Sequence, residues 1–208
     1  RVVSVLQAVN PQGPLGLPDA DHPHHALWLL LENVCDPEIP VVSLREMGVL
    51  RDIRDSARGL QVIITPTYSG CPAMTQMHDD VQAALAAAGV QAQVLTQLAP
   101  AWSTDWLTAE AREKLRRYGI APPNGNASLH GSASLHGHAS QTAEGAGRGG
   151  VVSNVVLFSR STSRTDDVAC PQCNSSNTTE VSRFGSTACK AMYRCLDCME
   201  PFDYFKPY

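Results

Sequence analysis

The sequence has no long apolar run. The longest near its start, Ala26 to Leu31, covers six residues, whereas a bilayer span takes about 20. No signal-peptide pattern is visible either. Charge is also sparse. Only 17% of the residues are charged, and 16 basic side chains face 20 acidic ones, for a formal net charge of −4. That balance argues against a dedicated nucleic-acid binder, which carries a basic excess. Wholesale disorder is excluded as well, because 43% of the residues are hydrophobic and the net charge is small.

Against these absences stand seven cysteines in 208 residues. The odd count, with four of the seven in two C-x-x-C pairs, does not suit a secreted disulfide scaffold. A reducing, cytoplasmic setting with cysteines used for metal is the expectation.

Composition divides the chain. Residues 1–24 carry Pro11, Pro14, Pro18 and Pro23 and read as a loose lead-in. Residues 25–120 have the patterning of a domain of about 100 residues, large enough for its own core. Residues 121–150 are low-complexity, holding seven of the 15 glycines and a near repeat at Ala127 and Ala133. They read as a flexible Gly/Ala/Ser-rich linker with an r.m.s. span of roughly 30 Å. Its histidines, His130, His136 and His138, read as inert. Residues 151–208 hold five of the seven cysteines.

Periodicity predicts the elements of the first domain. Leu27, Leu30, Leu31 and Val34 give a helix over 25–34, which Pro37 and Pro40 terminate. The stretch 41–50 reads as a short helix ending near Gly48. Strands are expected over 51–55, 60–65 and 91–98. A helix over 72–88 shows an apolar stripe of Met74, Met77, Val81, Leu85 and Ala88, and a further helix over 108–118 has Thr108 as its N-cap. The fold class is α+β: a small α-β-β-α-β-α sandwich joined by the linker to a C-terminal four-cysteine zinc ribbon.

That ribbon rests on Cys170-Pro-Gln-Cys173 and Cys195-Leu-Asp-Cys198, with 21 residues between them. Two-residue spacing lets a tight turn aim both thiolates at one cation, and two such knuckles complete a tetrahedron. So small a unit cannot bury enough apolar surface alone, and a structural zinc supplies the deficit. Rubredoxin-type iron uses similar knuckles and stays open as an alternative. Four acidic and four basic residues between Ala169 and Tyr208 offer phosphates no attraction. The aromatics Phe202, Tyr204, Phe205 and Tyr208 suit either a protein interface or the ribbon's own core.

Cys71 follows Thr65-Pro-Thr-Tyr-Ser-Gly and precedes Pro72, a residue favoured in the first helical turn. That places Cys71 near an N-cap, where the helix dipole favours thiolate over thiol. A nucleophile or metal ligand is one reading, and a capping cysteine without chemistry is the other. His78 lies two helical turns on, too far to serve Cys71 as a base. Asp36 and Glu38 are candidate oxygen ligands assisting metal transfer, or else residues that fix a turn. Cys35 and Cys189 read as small buried hydrophobes.

Several runs together resemble a known family: Asp36-Pro-Glu-Ile-Pro-Val-Val-Ser with Leu44, Gly48 and Arg51, then Thr65-Pro-Thr-Tyr-Ser-Gly-Cys-Pro-Ala. They are similar to the domain of SufT-like iron–sulfur assembly proteins. Ala101-Trp-Ser-Thr-Asp-Trp-Leu, Leu115-Arg-Arg-Tyr-Gly-Ile-Ala-Pro-Pro, Phe184-Gly-Ser-Thr-Ala-Cys-Lys-Ala-Met-Tyr-Arg-Cys and Pro201-Phe-Asp-Tyr-Phe-Lys narrow the resemblance to the PaaD family. Those proteins are encoded with the multicomponent phenylacetyl-CoA epoxidase of bacterial phenylacetate degradation. The resemblance implies an accessory subunit that does not itself oxygenate. A di-iron oxygenase subunit and a flavin/iron–sulfur reductase subunit would be its partners, with no nucleic acid and no membrane. It implies a functional Cys71 that transiently holds iron or an Fe–S cluster, and a role in maturing the metal centres. A purely structural subunit bridging oxygenase and reductase is the alternative. The chain departs from the family in its long linker and in Lys206-Pro-Tyr, where the family pattern has a further cysteine.

Overall fold

The computed structural model describes residues 14–123 and 168–208. Residues 1–13 of the expected lead-in and 124–150 of the expected linker, with its three histidines, lie outside the described residues. The remainder of the lead-in is anchored: the Leu15 carbonyl accepts from Arg45 at 2.7 Å, and the Pro18 carbonyl bonds the His25 ring at 2.9 Å.

Helix α1 (His25–Leu31) buries Trp28 and Leu31. The chain then forms a hairpin, β1 (Cys35–Asp36) with β2 (Ile39–Ser43), pairing Asp36 with Ile39 and Cys35 with Ser43. Asp36 builds its turn. One carboxylate oxygen accepts the amide N–H groups of Glu38 at 2.7 Å and Ile39 at 3.0 Å, an Asx-type closure.

The short helix expected over 41–50 does not form. Val41 and Val42, β-branched, continue β2. Beyond it Ser43 and Glu46 bond each other reciprocally: the Glu46 carboxylate accepts the Ser43 amide at 3.0 Å, and the Ser43 hydroxyl accepts the Glu46 amide at 3.2 Å. That is a capping box. It opens only a turn, because Gly48 at φ +73° turns the chain and every residue from Val42 to Leu50 is buried. An amphipathic helix needs a solvated face. The two charges inside this run are matched, Arg45 by Glu32 and Glu46 by Lys114.

Strands β3 (Leu50–Ser56) and β4 (Gly59–Ile64) are antiparallel, and β5 (Gln93–Thr96) runs parallel to β4, in the order β3-β4-β5. The parallel step requires a crossover, supplied by α2 (Met74–Ala87), which lays Met77, Val81 and Leu85 into the core. Gly89 at φ +71° ends α2, and the Val90 amide returns to the Leu85 carbonyl at 2.9 Å. One 3-10 turn (Thr104–Trp106) leads to α3 (Ala109–Arg117), where the Thr108 hydroxyl accepts the Ala111 amide at 3.0 Å, the expected N-cap.

The last sheet joins the two halves of the molecule. β6 (Ile120–Ala121) pairs in parallel with β9 (Pro201–Phe205), which is antiparallel to β8 (Lys190–Cys195), and β7 (Thr178–Ser182) completes the order β6-β9-β8-β7. The ribbon is thus an extension of the first domain's last strand. Its own core is Tyr193, Phe202 and Tyr204 with Ala121 from β6. Phe205 and Cys189 point the other way, into the core of the first domain, where Phe205 meets Trp102 with ring centroids 6.0 Å apart. Of the four ribbon aromatics only Tyr208 stays exposed.

Candidate functional site

In the ribbon the sulfurs of Cys170, Cys173, Cys195 and Cys198 all lie within 4.8 Å of one another. The closest pairs are Cys173–Cys195 at 3.6 Å and Cys170–Cys198 at 3.7 Å. A tetrahedral metal with bonds of about 2.3 Å to sulfur sets its ligands about 3.8 Å apart, so the four residues fit such an ion. The residue after each knuckle adopts positive φ, Asn174 at 60° and Met199 at 67°. Asn tolerates this region, whereas Met adopts it only under constraint. Asp197 ties the knuckles together by accepting from Ser175 and from Asn177, the latter at 2.7 Å. Amide N–H groups of Cys198 and Asp197 bring the Cys195 thiol down to about 7. Four thiolates leave no open position for water, so a metal here is structural.

Cys71 lies in the loop before α2, half-buried. Its amide donates to the Tyr68 carbonyl at 3.1 Å, and its own carbonyl accepts the Met74 amide at 3.4 Å. Ala73 is the N-cap of α2, so Pro72 precedes the first turn and Cys71 stands just outside the helix. The expectation of a thiol depressed by the helix terminus is therefore corrected. Burial pushes the Cys71 thiol up, and the Ala73 amide bonded to the sulfur opposes this only in part. The charges of Asp36, Cys189 and Glu38 add to the upward push.

Asp36 and Glu38 lie within electrostatic reach of Cys71. Asp36 is buried, and burial raises its carboxyl against the two turn amides that lower it. The same carboxylate closes the β1–β2 turn. His78 is paired with Asp79 at 3.2 Å on the exposed face of α2. Cys35 is half-buried with Lys114, Glu46 and Glu32 around it.

Three residues near this loop escape sequence reasoning. Tyr68 and Tyr208 stack with centroids 6.4 Å apart and planes 16° from parallel, and the buried Cys189 lies beside them. The one signal in the sequence is the run from Phe184 to Cys195, whose cysteine precedes the strand β8. A cleft of about 330 Å³ opens between Tyr68, Leu98, Trp102 and Tyr208. No helix among the described residues is long and apolar enough to cross a membrane.

Residues 25–95 match the family model for an iron-sulfur cluster assembly protein, and residues 158–206 that for the PaaD zinc beta ribbon domain. A protein of Escherichia coli (strain K12), provisionally named as a component of 1,2-phenylacetyl-CoA epoxidase, is 42% identical over 183 residues, covering 88% of this chain and 92% of that one. Two solved structures are similar to parts of the chain. A crystal structure of a domain of unknown function, DUF59, from Bacillus anthracis is 27% identical, covers 44% of this chain and 90% of its own, and has a TM-score of 0.41. A solution structure from Mycobacterium tuberculosis, of a protein associated with Fe–S complex assembly and repair, is 26% identical, covers 51% of this chain and 98% of its own, and has a TM-score of 0.29. With an assembly-type domain carrying Cys71, a four-cysteine ribbon paired onto its last strand, and 42% identity across nearly the whole length, the chain belongs to the PaaD family.

Proposed function

We propose that this protein is an accessory subunit of a phenylacetyl-CoA epoxidase that helps to build the iron or iron–sulfur centres of the oxygenase and reductase subunits, and does not itself oxygenate. The observation that carries this reading is Cys71, half-buried in the loop before α2 and within the electrostatic reach of Asp36 and Glu38. It lies inside the stretch that matches the iron–sulfur assembly family. The relative from Escherichia coli is named as part of an epoxidase, and that association is carried to this chain here.

The cargo, iron or a cluster, is the substrate of such a subunit. A thiol kept protonated by burial is inert until a metal displaces its proton, and metal binding to it releases that proton. The ribbon's metal, for which zinc is proposed, has no free position and so takes no part in transfer. It holds the strands that pair with β6. A cytoplasmic setting follows from the same reading.

The test is co-expression of the epoxidase components with the Cys71→Ala variant. Loss of cluster from the reductase, with reduced epoxidation, is the expected result. A fully loaded reductase and undiminished epoxidation would overturn the reading and leave a structural bridging subunit in its place.

A further inference from the structure

We propose that the buried guanidinium of Arg51, at the start of β3, anchors a binding site for a small soluble carboxylate. The site is independent of the role given to Cys71.

Buried charges are normally paired, because desolvating an isolated one is costly. Three cations are buried among the described residues: Arg45, Arg51 and Lys190. Arg45 donates to both carboxylate oxygens of Glu32. Lys190 stands 3.9 Å from Asp203. Arg51 differs. It is 4% exposed, and neither its Nη1 nor its Nη2, both buried, has a hydrogen-bond partner among the described residues. Asp52, the adjacent acid, turns to Arg54 at 3.5 Å instead.

Local structure aims the side chain. The pairing of β3 with β4 is irregular between Leu50 and Asp52, and Arg51 is the residue within that irregularity. A bulge of this kind re-aims a side chain and recurs beside binding sites. The guanidinium carbon stands 3.7 Å from the centroid of the Trp106 ring. Gly48, three residues earlier, leaves Trp106 its place, since an added Cβ would stand 2.6 Å from Trp106 Cβ. The indole covers one face of the cation. It takes none of the terminal N–H groups, which lie in the guanidinium plane and stay available as donors. Burial brings Arg51 down to about 10, so it is still a cation at neutral pH.

The chemistry selects the ligand. Parallel N–H donors on a planar cation match the two oxygens of a carboxylate. Asp52 is the one charged group that acts on Arg51. A single positive charge therefore balances a monoanion and not a phosphate dianion. Access also favours a small ligand. Trp106 rides on the 3-10 turn, which is held by the Trp106 amide on the Ser103 carbonyl at 3.0 Å and the Leu107 amide on the Thr104 carbonyl at 3.2 Å. So short an element opens locally more readily than a paired strand. The Val49 carbonyl accepts the Thr65 amide at 2.8 Å, which sets the site at the root of the loop that leads to Cys71.

The experiment uses the full chain with its ribbon metal in place. Sodium acetate replaces sodium chloride at constant ionic strength, and the melting temperature is followed. A saturable rise is expected, about 3–6 °C at ten times the half-saturating concentration. Arg51→Met is expected to fold and to show no rise. Arg51→Lys keeps the charge without the fork and is expected to need at least about tenfold more acetate. Acetate is also expected to change tryptophan emission in the wild type and not in Arg51→Met. Absence of a saturable rise, an equal rise in Arg51→Met, or an unchanged midpoint in Arg51→Lys would each overturn the proposal.

Discussion

The ring of Tyr208 stacks on Tyr68 with centroids 6.4 Å apart, which fastens the end of the ribbon to the loop that carries Cys71. Trp102 meets the same tyrosine edge-on at 6.4 Å. Aromatic pairs of this kind contribute about 0.5–1.5 kcal/mol each beyond the area they bury. Tyr208→Ala is therefore expected to raise the alkylation rate of Cys189 by iodoacetamide about two- to tenfold, read by mass spectrometry. An unchanged rate would mean that the stack does not hold the ribbon in place.

Removing the ribbon metal gives a second expectation. The ribbon core is small, and structural zinc binding of about 10–16 kcal/mol is folding free energy in such units. Chelation is expected to abolish amide protection in β7, β8 and β9 and to leave β3, β4 and α2 protected. Hydrogen exchange with mass spectrometry reads both at once, and retained protection in β8 would show that the metal is dispensable.

Glu46 sets an acid dependence. Its side chain is 5% exposed and accepts the Lys114 ammonium at 2.7 and 2.8 Å. Burial alone would raise its carboxyl, but Lys114 and the Ser43 amide outweigh burial and hold it below its ordinary 4.5. A carboxyl lower in the folded than in the unfolded state stabilises fully above the unfolded value. That stability is lost as pH falls through the folded value. Glu46→Gln is expected to cost about 1–3 kcal/mol at neutral pH in urea melts, with the gap closing as pH falls below the ordinary carboxylate range. A gap independent of pH would contradict this.

Gly48 has no room for a side chain. At φ +73°, an added Cβ would stand 2.6 Å from Trp106 Cβ and 2.9 Å from the Trp106 carbonyl oxygen. Gly48→Ala combines positive-φ strain with overpacking, a loss of about 2–4 kcal/mol and a lower melting temperature. Retention of the wild-type melting temperature would show that the 3-10 turn gives way without cost.

Local pattern is enough for some elements. The stripe of Met77, Val81 and Leu85 with Gly89 behind it announces α2, Thr108 announces α3, and the two C-x-x-C pairs announce the ribbon cluster. The β1–β2 hairpin is hidden because Pro37 and Pro40 read as breakers, while the residues after Pro40 read as a short helix. Only burial of the whole run from Val42 to Leu50 decides against one. The environment of Cys71 is obscured for a related reason. Its place before a helix is visible in sequence, but burial and the approach of Asp36 are tertiary facts. Cys189 reads as packing because nothing local marks its neighbours. Its position follows from the pairing of β8 with β9, where the Lys206 amide bonds the Cys189 carbonyl, and no periodicity reports that.

The central claim is that Cys71 passes iron to the epoxidase. The most direct measurement loads the full chain with isotopically labelled iron, mixes it with metal-free reductase subunit in the presence of a chelator, and follows the label. Transfer to the reductase that resists the chelator, and its loss with Cys71→Ala, is the predicted result. Label captured entirely by the chelator, or transfer equally fast with Cys71→Ala, would contradict the account.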